Sequence, residues 1–124
     1  MRNRVAVTGL GCISPLGNNV ATSWKGCISG NSGIDRIKNF DPELFRCQIA
    51  GEIKDFQLPK VIPIKEAKKM DLFIKYSIGA AQEALEDSGL EITKDIEQEV
   101  GVSMGVGIGG LGCIERYSKI IEEH

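Results

Sequence analysis

Near its amino terminus the chain reads Arg4-Val5-Ala6-Val7-Thr8-Gly9-Leu10-Gly11-Cys12-Ile13-Ser14-Pro15-Leu16-Gly17, and this stretch decides the fold. Residues 4–8 form a short β-rich run, which predicts a strand in the centre of a sheet. The three glycines and the proline that follow enforce a loop. A helix is predicted next, because Asn18 or Asn19 can cap its start and Gly30 can end it in the left-handed conformation.

A second strand is predicted over Glu99–Val106, where valine and methionine alternate with glycine and serine. The small residues leave one face of this strand almost bare, so another backbone can pack closely on it. A buried helix, Asp71–Ser88, is predicted before this strand, and a last helix begins at about Leu111. The order strand, helix, irregular segment, buried helix, strand, helix predicts an α/β fold with a parallel or mixed sheet and covering helices.

The predicted helix Asp71–Ser88 carries apolar side chains around most of its circumference, which indicates burial on most sides. Its polar residues form one narrow stripe: Lys75, Gln82, Glu83, Glu86 and Asp87. Ser88-Gly89-Leu90 is typical of a helix end with a left-handed glycine. A short basic helix, Ile64–Met70, precedes it. Residues 31–63 are irregular, with an extended piece near Cys47–Ile53, and indicate a surface insertion.

Composition limits the class of protein. The 124 residues make one domain or part of a larger one, and 42% hydrophobic and 26% charged residues are ordinary for a globular protein. Because the net charge is only −2 and no apolar run approaches the roughly 20 residues of a membrane span, neither nucleic acid nor a membrane is expected as a partner. Four cysteines without a Cys-x-x-Cys pair or a nearby histidine argue against zinc and disulfides, and fit a reducing cytoplasm.

The opening stretch and a second one, Met104-Gly105-Val106-Gly107-Ile108-Gly109-Gly110-Leu111-Gly112, resemble the type II β-ketoacyl-[acyl-carrier-protein] synthases. Further matching segments extend the resemblance over the whole chain: Trp24, Asn31–Ile34, Phe40-Asp41, Ala50-Gly51, Lys54–Phe56, Lys69–Asp71 and Asp87–Leu90. The resemblance implies the thiolase fold, of which residues 1–124 would be an incomplete amino-terminal part. It also implies a homodimer that elongates fatty acids, without a cofactor, by Claisen condensation of an enzyme-bound acyl group with malonyl-[acyl-carrier protein].

Two sets of residues match functional positions of that family. Ile108 matches the residue that lines and gates the acyl tunnel, although a packed core isoleucine would look the same in sequence. Lys65, Lys68 and Lys69 match the basic helix that receives acyl-carrier protein. A small cationic patch on an acidic chain can steer an acidic partner, and the alternative is a merely solvated helix face.

The catalytic residues of the family have no counterpart in this sequence. None of Cys12, Cys27, Cys47 and Cys113 matches the nucleophilic cysteine, which lies on a sharp turn at a helix amino terminus. The family also uses two histidines, whereas the only histidine here is His124, the last residue. We therefore expect no catalytic residue and no cofactor or metal site in these 124 residues, and no condensing activity from this chain alone.

Two other functions stay open at this point. Residues 105–110 fit the dinucleotide pattern G-x-G-x-x-G between a strand and a helix, as in a small nucleotide-binding α/β protein. The acidic residue that such proteins carry about 20 positions later would lie beyond His124. Glycines for tight strand-to-helix packing explain the pattern better. The other alternative is a binding module that keeps the carrier-protein patch without chemistry.

Overall fold

The computed structural model describes residues 3–123. Met1 and Arg2 of the predicted basic lead-in, and the sole histidine, His124, lie outside the described residues. The described chain forms four helices and two short strands, in the order α1 (Val20–Ile28), β1 (Ile34–Arg36), β2 (Ile49–Gly51), α2 (Ile64–Ala67), α3 (Leu72–Ser88) and α4 (Leu111–Glu122). None of these helices is both long enough and apolar enough to cross a membrane.

The predicted helix ends are confirmed. At the start of α1 the Asn19 side chain accepts a hydrogen bond from the Thr22 N–H at 2.8 Å, which satisfies one of the unpaired amides of the first turn. Gly30 follows α1 with a φ of 68°. At the end of α3, Gly89 has a φ of 64° and its N–H donates to the Glu86 carbonyl. A side chain at this position would clash with its own backbone, so glycine permits the stop.

The only strands in residues 3–123 form a small antiparallel sheet. Strand β1 pairs with β2 in the register Ile34–Gly51, Asp35–Ala50 and Arg36–Ile49. Strand β2 confirms the extended piece predicted near Cys47–Ile53. Both strands belong to residues 31–63, so this segment contains regular structure as well as turns.

The two strands predicted over Arg4–Thr8 and Glu99–Val106 do not form, and that prediction is wrong for this chain. Both segments lack ladder hydrogen bonds and expose their valines: Val5 by 91%, Val7 by 79% and Val102 by 84%. A strand is defined by its neighbour, because its amides and carbonyls must find partners across a ladder. The described residues provide no such neighbour to either segment.

Helix α3 is the element against which the amino-terminal loop packs. Gly9 and Gly11 lie directly on its backbone, because a β-carbon on either would overlap the carbonyl oxygens of Ala84 and Ala80 respectively. The polar stripe of α3 faces this loop in part: the Leu10 N–H donates to the Asp87 carboxylate at 2.9 Å. Only glycine allows two backbones to approach this closely.

The burial predicted for α3 on most sides is wrong, since none of its residues is fully buried. Within residues 3–123 the fully buried apolar side chains are Ile62 and Ala67, and Ser23 is the buried polar one. Large apolar side chains are exposed throughout residues 3–123, most of all at these positions: Val5, Val7, Leu44, Val102, Ile108 and Ile121. Residues 73–84 of α3 are all half-buried, so the described residues cover the helix only in part and leave its apolar positions partly open to water.

The purified 124-residue chain is expected to be aggregation-prone or molten, because exposed strand-forming segments and apolar patches favour association. Its thermal unfolding, followed by circular dichroism, should be broad, and a dye that binds exposed apolar surface should fluoresce at ambient temperature. Light scattering provides the check on association. A sharp cooperative melt from a monodisperse monomer would contradict this expectation.

Candidate functional site

Positive charge is concentrated around α2. Residues 60–75 contain five lysines and two carboxylates, an excess of three positive charges, whereas the rest of the chain has a net charge of −5 and the whole chain −2. Lys65 lies within α2, Lys68 is its C-cap and Lys69 follows in the next turn. All three side chains are exposed, so the field of this segment reaches into the solvent.

The α2 lysines are mostly free to meet a partner. Lys69 lies 3.3 Å from the Glu66 carboxylate, but both side chains are more than half exposed, so this ion pair contributes little stability. Lys65 and Lys68 form no ion pair with another described residue. Burial of Ile62 and Ala67 anchors the segment, which holds the lysines in place on the surface.

Ile108 lies in a bend between residues 100–106, which form no helix or strand, and α4, and its side chain is 79% exposed. The next residue, Gly109, packs on the ring of Phe73: a β-carbon there would lie 3.0 Å from the ring. This contact places the glycine-rich loop on the first turn of α3. Leu72 and Lys75 of the same turn line a groove together with Ile64 and Lys68 of the α2 region. The start of α3 therefore positions both predicted site elements, the Ile108 loop and the lysine helix.

Asp71 links the start of α3 to the start of α4. It is the N-cap residue of α3, yet its side chain makes no capping hydrogen bond there. Its carboxylate oxygens instead lie against α4, 3.7 Å from the positions that β-carbons of Gly110 and Gly112 would occupy. A carboxylate is favourable at a helix amino terminus, because the unpaired amides there carry partial positive charge.

Asp71 also affects the pKa of the Cys113 thiol. The pKa of Cys113 is raised above its ordinary value, first because the Asp71 carboxylate accepts a hydrogen bond from the protonated thiol, then by desolvation and by the negative charge of Asp71. Arg116 opposes this shift. A nucleophilic cysteine needs a lowered pKa, since only the thiolate attacks. The direction of the shift thus supports the prediction that Cys113 is not a nucleophile.

The Asp71 carboxylate also argues against the nucleotide-binding alternative. A pyrophosphate bound by the pattern at residues 105–110 would have to approach the amino terminus of α4. The negative charge of Asp71 already lies against that terminus and repels a second anion. The packing of Gly109 on Phe73 gives the glycines a structural role instead.

Glu83 is a positioning residue that the sequence placed only in a polar stripe. One carboxylate oxygen accepts a hydrogen bond from the Cys12 N–H at 2.9 Å, and the other accepts one from the Val20 N–H at 2.8 Å. Sequence reasoning had one available signal: Glu83 and Asp87 are four residues apart, so both lie on the same face of α3. The amides that they bind are more than 60 residues away, at Leu10, Cys12 and Val20.

The substitution Asp71→Asn is expected to lower the pKa of Cys113, because it removes the negative charge and weakens the acceptor that favours the protonated thiol. Alkylation of Cys113 by iodoacetamide, followed by mass spectrometry across a pH series, should therefore move to lower pH. Asp95→Asn, in an exposed turn, is the matched control. An unchanged alkylation profile for Asp71→Asn would show that Asp71 does not control this thiol.

Comparison with known proteins identifies the family. The family described as "Beta-ketoacyl synthase, N-terminal domain" matches residues 2–123. The chain is 49% identical over 123 residues to 3-oxoacyl-[acyl-carrier-protein] synthase 2 of Vibrio harveyi, covering 98% of this chain and 30% of that protein. It is 43% identical over 116 residues to the synthase of the same name from Staphylococcus aureus strain COL, covering 94% of this chain and 28% of that protein.

A solved structure of a ketosynthase is similar in fold to this chain. The ishigamide ketosynthase/chain length factor superposes with a TM-score of 0.63 at 35% identity, over 77% of this chain and 23% of that one. This likeness confirms the predicted fold class, an incomplete amino-terminal part of an α/β thiolase-like fold. The chain spans about 30% of the length of the Vibrio relative. Since the family match covers residues 2–123, the chain belongs to the β-ketoacyl synthase family, in its amino-terminal domain.

Proposed function

We propose that this chain is the amino-terminal part of a 3-oxoacyl-[acyl-carrier-protein] synthase II. Such an enzyme elongates fatty acids by decarboxylative Claisen condensation of an enzyme-bound acyl group with malonyl-[acyl-carrier protein]. The observation that carries this proposal is the 49% identity to the Vibrio harveyi synthase over 98% of the chain. The complete protein would act in the cytoplasm as a homodimer, with the acyl chain as substrate and acyl-carrier protein as partner.

Within that enzyme, these residues would form a surface for the carrier protein and one wall of the acyl tunnel, and would supply no catalytic group. The raised pKa of Cys113 supports the last point, because it disfavours the thiolate form that a nucleophilic cysteine needs. The 124-residue chain alone is therefore proposed to have no condensing activity.

Lys65, Lys68 and Lys69 are proposed to dock acyl-carrier protein. Two observations support this docking role. Residues 60–75 carry an excess of three positive charges in an otherwise acidic chain. The three lysines are also exposed, on a segment anchored by the burial of Ile62 and Ala67. Exposed charges of one sign attract an oppositely charged partner and steer its approach. This attraction weakens as the salt concentration rises, because salt screens it. An acidic carrier protein fits this field.

Charge reversal of Lys65, Lys68 and Lys69 to glutamate, in the complete product of the gene, is expected to raise KM for a carrier-linked substrate by about tenfold or more at low salt while kcat changes little. The salt dependence of kcat/KM should weaken, because the screened attraction has been removed. Steady-state kinetics over a salt series measures both.

The matched control reverses Lys25, Arg46 and Lys94, which are also exposed and lie outside residues 60–75. If net charge alone mattered, KM for the carrier-linked substrate would rise as much in this control variant as in the variant at 65, 68 and 69. An unchanged KM at low salt for the variant at 65, 68 and 69 would refute the docking role.

Ile108 is proposed to line the acyl tunnel. In this structure its side chain is exposed and stands in a loop held by the contact of Gly109 with Phe73, so it is free to face a bound chain. The substitution Ile108→Trp in the complete protein is expected to shorten the longest acyl chain that is elongated, because added volume closes an apolar tunnel. Product analysis by mass spectrometry checks the chain length.

The control for this prediction is Leu44→Trp, at a side chain that is 98% exposed in residues 31–63. It should leave the product distribution unchanged. Ile108→Trp with full activity and the same longest product would contradict the tunnel role.

A further inference from the structure

The loop that carries Ile108 meets the rest of the described chain at few points. Among residues 101–123 the half-buried positions are Gly109, Gly110 and Cys113, and all the others are exposed. All three lie against the start of α3. The course of the loop is therefore determined by a small number of contacts, and a change in one of them is transmitted to Ile108.

The closest of these contacts joins Gly109 to the ring of Phe73. A β-carbon on Gly109 would lie 3.0 Å from Cζ of the ring and 3.1 Å from both Cε atoms. Carbon atoms pack best at about 3.5–4.0 Å, so a methyl group does not fit unless the ring or the loop shifts. The φ of Gly109 is not positive, whereas that of Gly110 is 79°. Alanine would suit the backbone at 109, and the ring is what excludes it.

Of the two partners in this contact, α3 is held more firmly than the loop. The carboxylates of Glu83 and Asp87 bind three backbone amides from the first 20 residues. Residues 101–108, by contrast, are all exposed within the described chain. A group added between the ring and the loop would therefore displace the loop. Ile108, which is next to Gly109 and 79% exposed, would move with it, away from α3.

We propose that Phe73 is a positioning residue whose ring sets where Ile108 stands in the acyl tunnel, and so limits the length of the acyl chain that is elongated. The proposal rests on the proposed function, because it takes Ile108 as part of the tunnel wall. Phe73 acts through the loop and does not have to touch the substrate. An apolar pocket discriminates one methylene group by roughly 10–200-fold, so a small displacement of its wall is enough to change the preferred chain length.

Two single substitutions in the complete gene product should change this preference in opposite directions. The quantity to compare is kcat/KM for a tetradecanoyl group divided by kcat/KM for a butyryl group, both on acyl-carrier protein. Gly109→Ala pushes the loop off the ring and narrows the tunnel, so this ratio should fall by about tenfold. Phe73→Leu leaves space below Gly109 into which the loop can settle, so the ratio should rise by about threefold. Initial rates of elongation, followed by mass spectrometry, give both values.

The double variant Gly109→Ala/Phe73→Leu is the decisive test. Leucine lacks the Cζ and Cε atoms that the added methyl group would meet, so the ratio should return to within about twofold of the unchanged protein. Such coupling is expected of residues in contact. If the two residues only stabilised the fold, the double variant would be at least as impaired as either single one, and activity toward both substrates would fall equally.

The matched controls place the same changes elsewhere in the chain. Gly33→Ala would bring a β-carbon to 2.8 Å from Pro15, which is a comparable clash. Phe45→Leu removes a ring that is 57% exposed in residues 31–63. Each control is expected to lower the melting temperature at most and to leave the ratio unchanged. A changed ratio in either control would mean that crowding or ring loss anywhere has this effect, which refutes the proposal.

An unchanged ratio in Gly109→Ala, or no recovery in the double variant, would overturn the role of Phe73. If Ile108→Trp still shortens the products in that case, the proposed tunnel role stands, and if it does not, both proposals fail. Should Gly109→Ala fail to fold, Phe73→Trp takes its place, because a larger ring pushes the loop in the same direction and should also lower the ratio. An unchanged ratio in Phe73→Trp would overturn the proposal equally.

Discussion

The arrangement of the chain depends on one carboxylate. Glu83 accepts hydrogen bonds from the amides of Cys12 and Val20, which ties the glycine-rich loop and the first turn of α1 to the middle of α3. Both bonds are partly shielded from water, and bonds from amides to an ionised acceptor are stronger than neutral ones. Since the loop also lies on α3 through Gly9 and Gly11, with no room for a side chain, α3 fixes the course of residues 9–20.

The first turn of α3 holds the residues of the candidate site in place. Phe73 supports the loop that carries Ile108, and Leu72 and Lys75 face the groove beside α2. The proposed tunnel wall and the proposed docking surface would thus share one support, the start of α3. If both roles hold as proposed, a docking surface beside the tunnel would orient a bound acyl group before reaction.

The sequence predicted the features of the fold that depend on interactions between residues close together in the chain. The helix ends at Asn19, Gly30 and Gly89 follow from hydrogen bonds and backbone conformations within a few residues, and all three are confirmed. The strands at Arg4–Thr8 and Glu99–Val106 depend on partners that these residues do not supply, so their β-rich pattern did not produce a ladder. The candidate lysines followed from family resemblance. Lys75 and Glu83 did not stand out, because a charged residue in a helical stripe looks solvated until its distant partners are known.

Asp71 shows how one residue can give the glycine-rich pattern a structural role rather than a ligand-binding one. A helix that starts after G-x-G-x-x-G offers unpaired amides and partial positive charge to an anion. Here the Asp71 carboxylate lies against the start of α4 and supplies negative charge from within the protein. It also raises the pKa of the Cys113 thiol, although that cysteine lies in a first turn that would otherwise favour the thiolate. The same charge therefore disfavours both an anionic ligand and a nucleophile at this helix end.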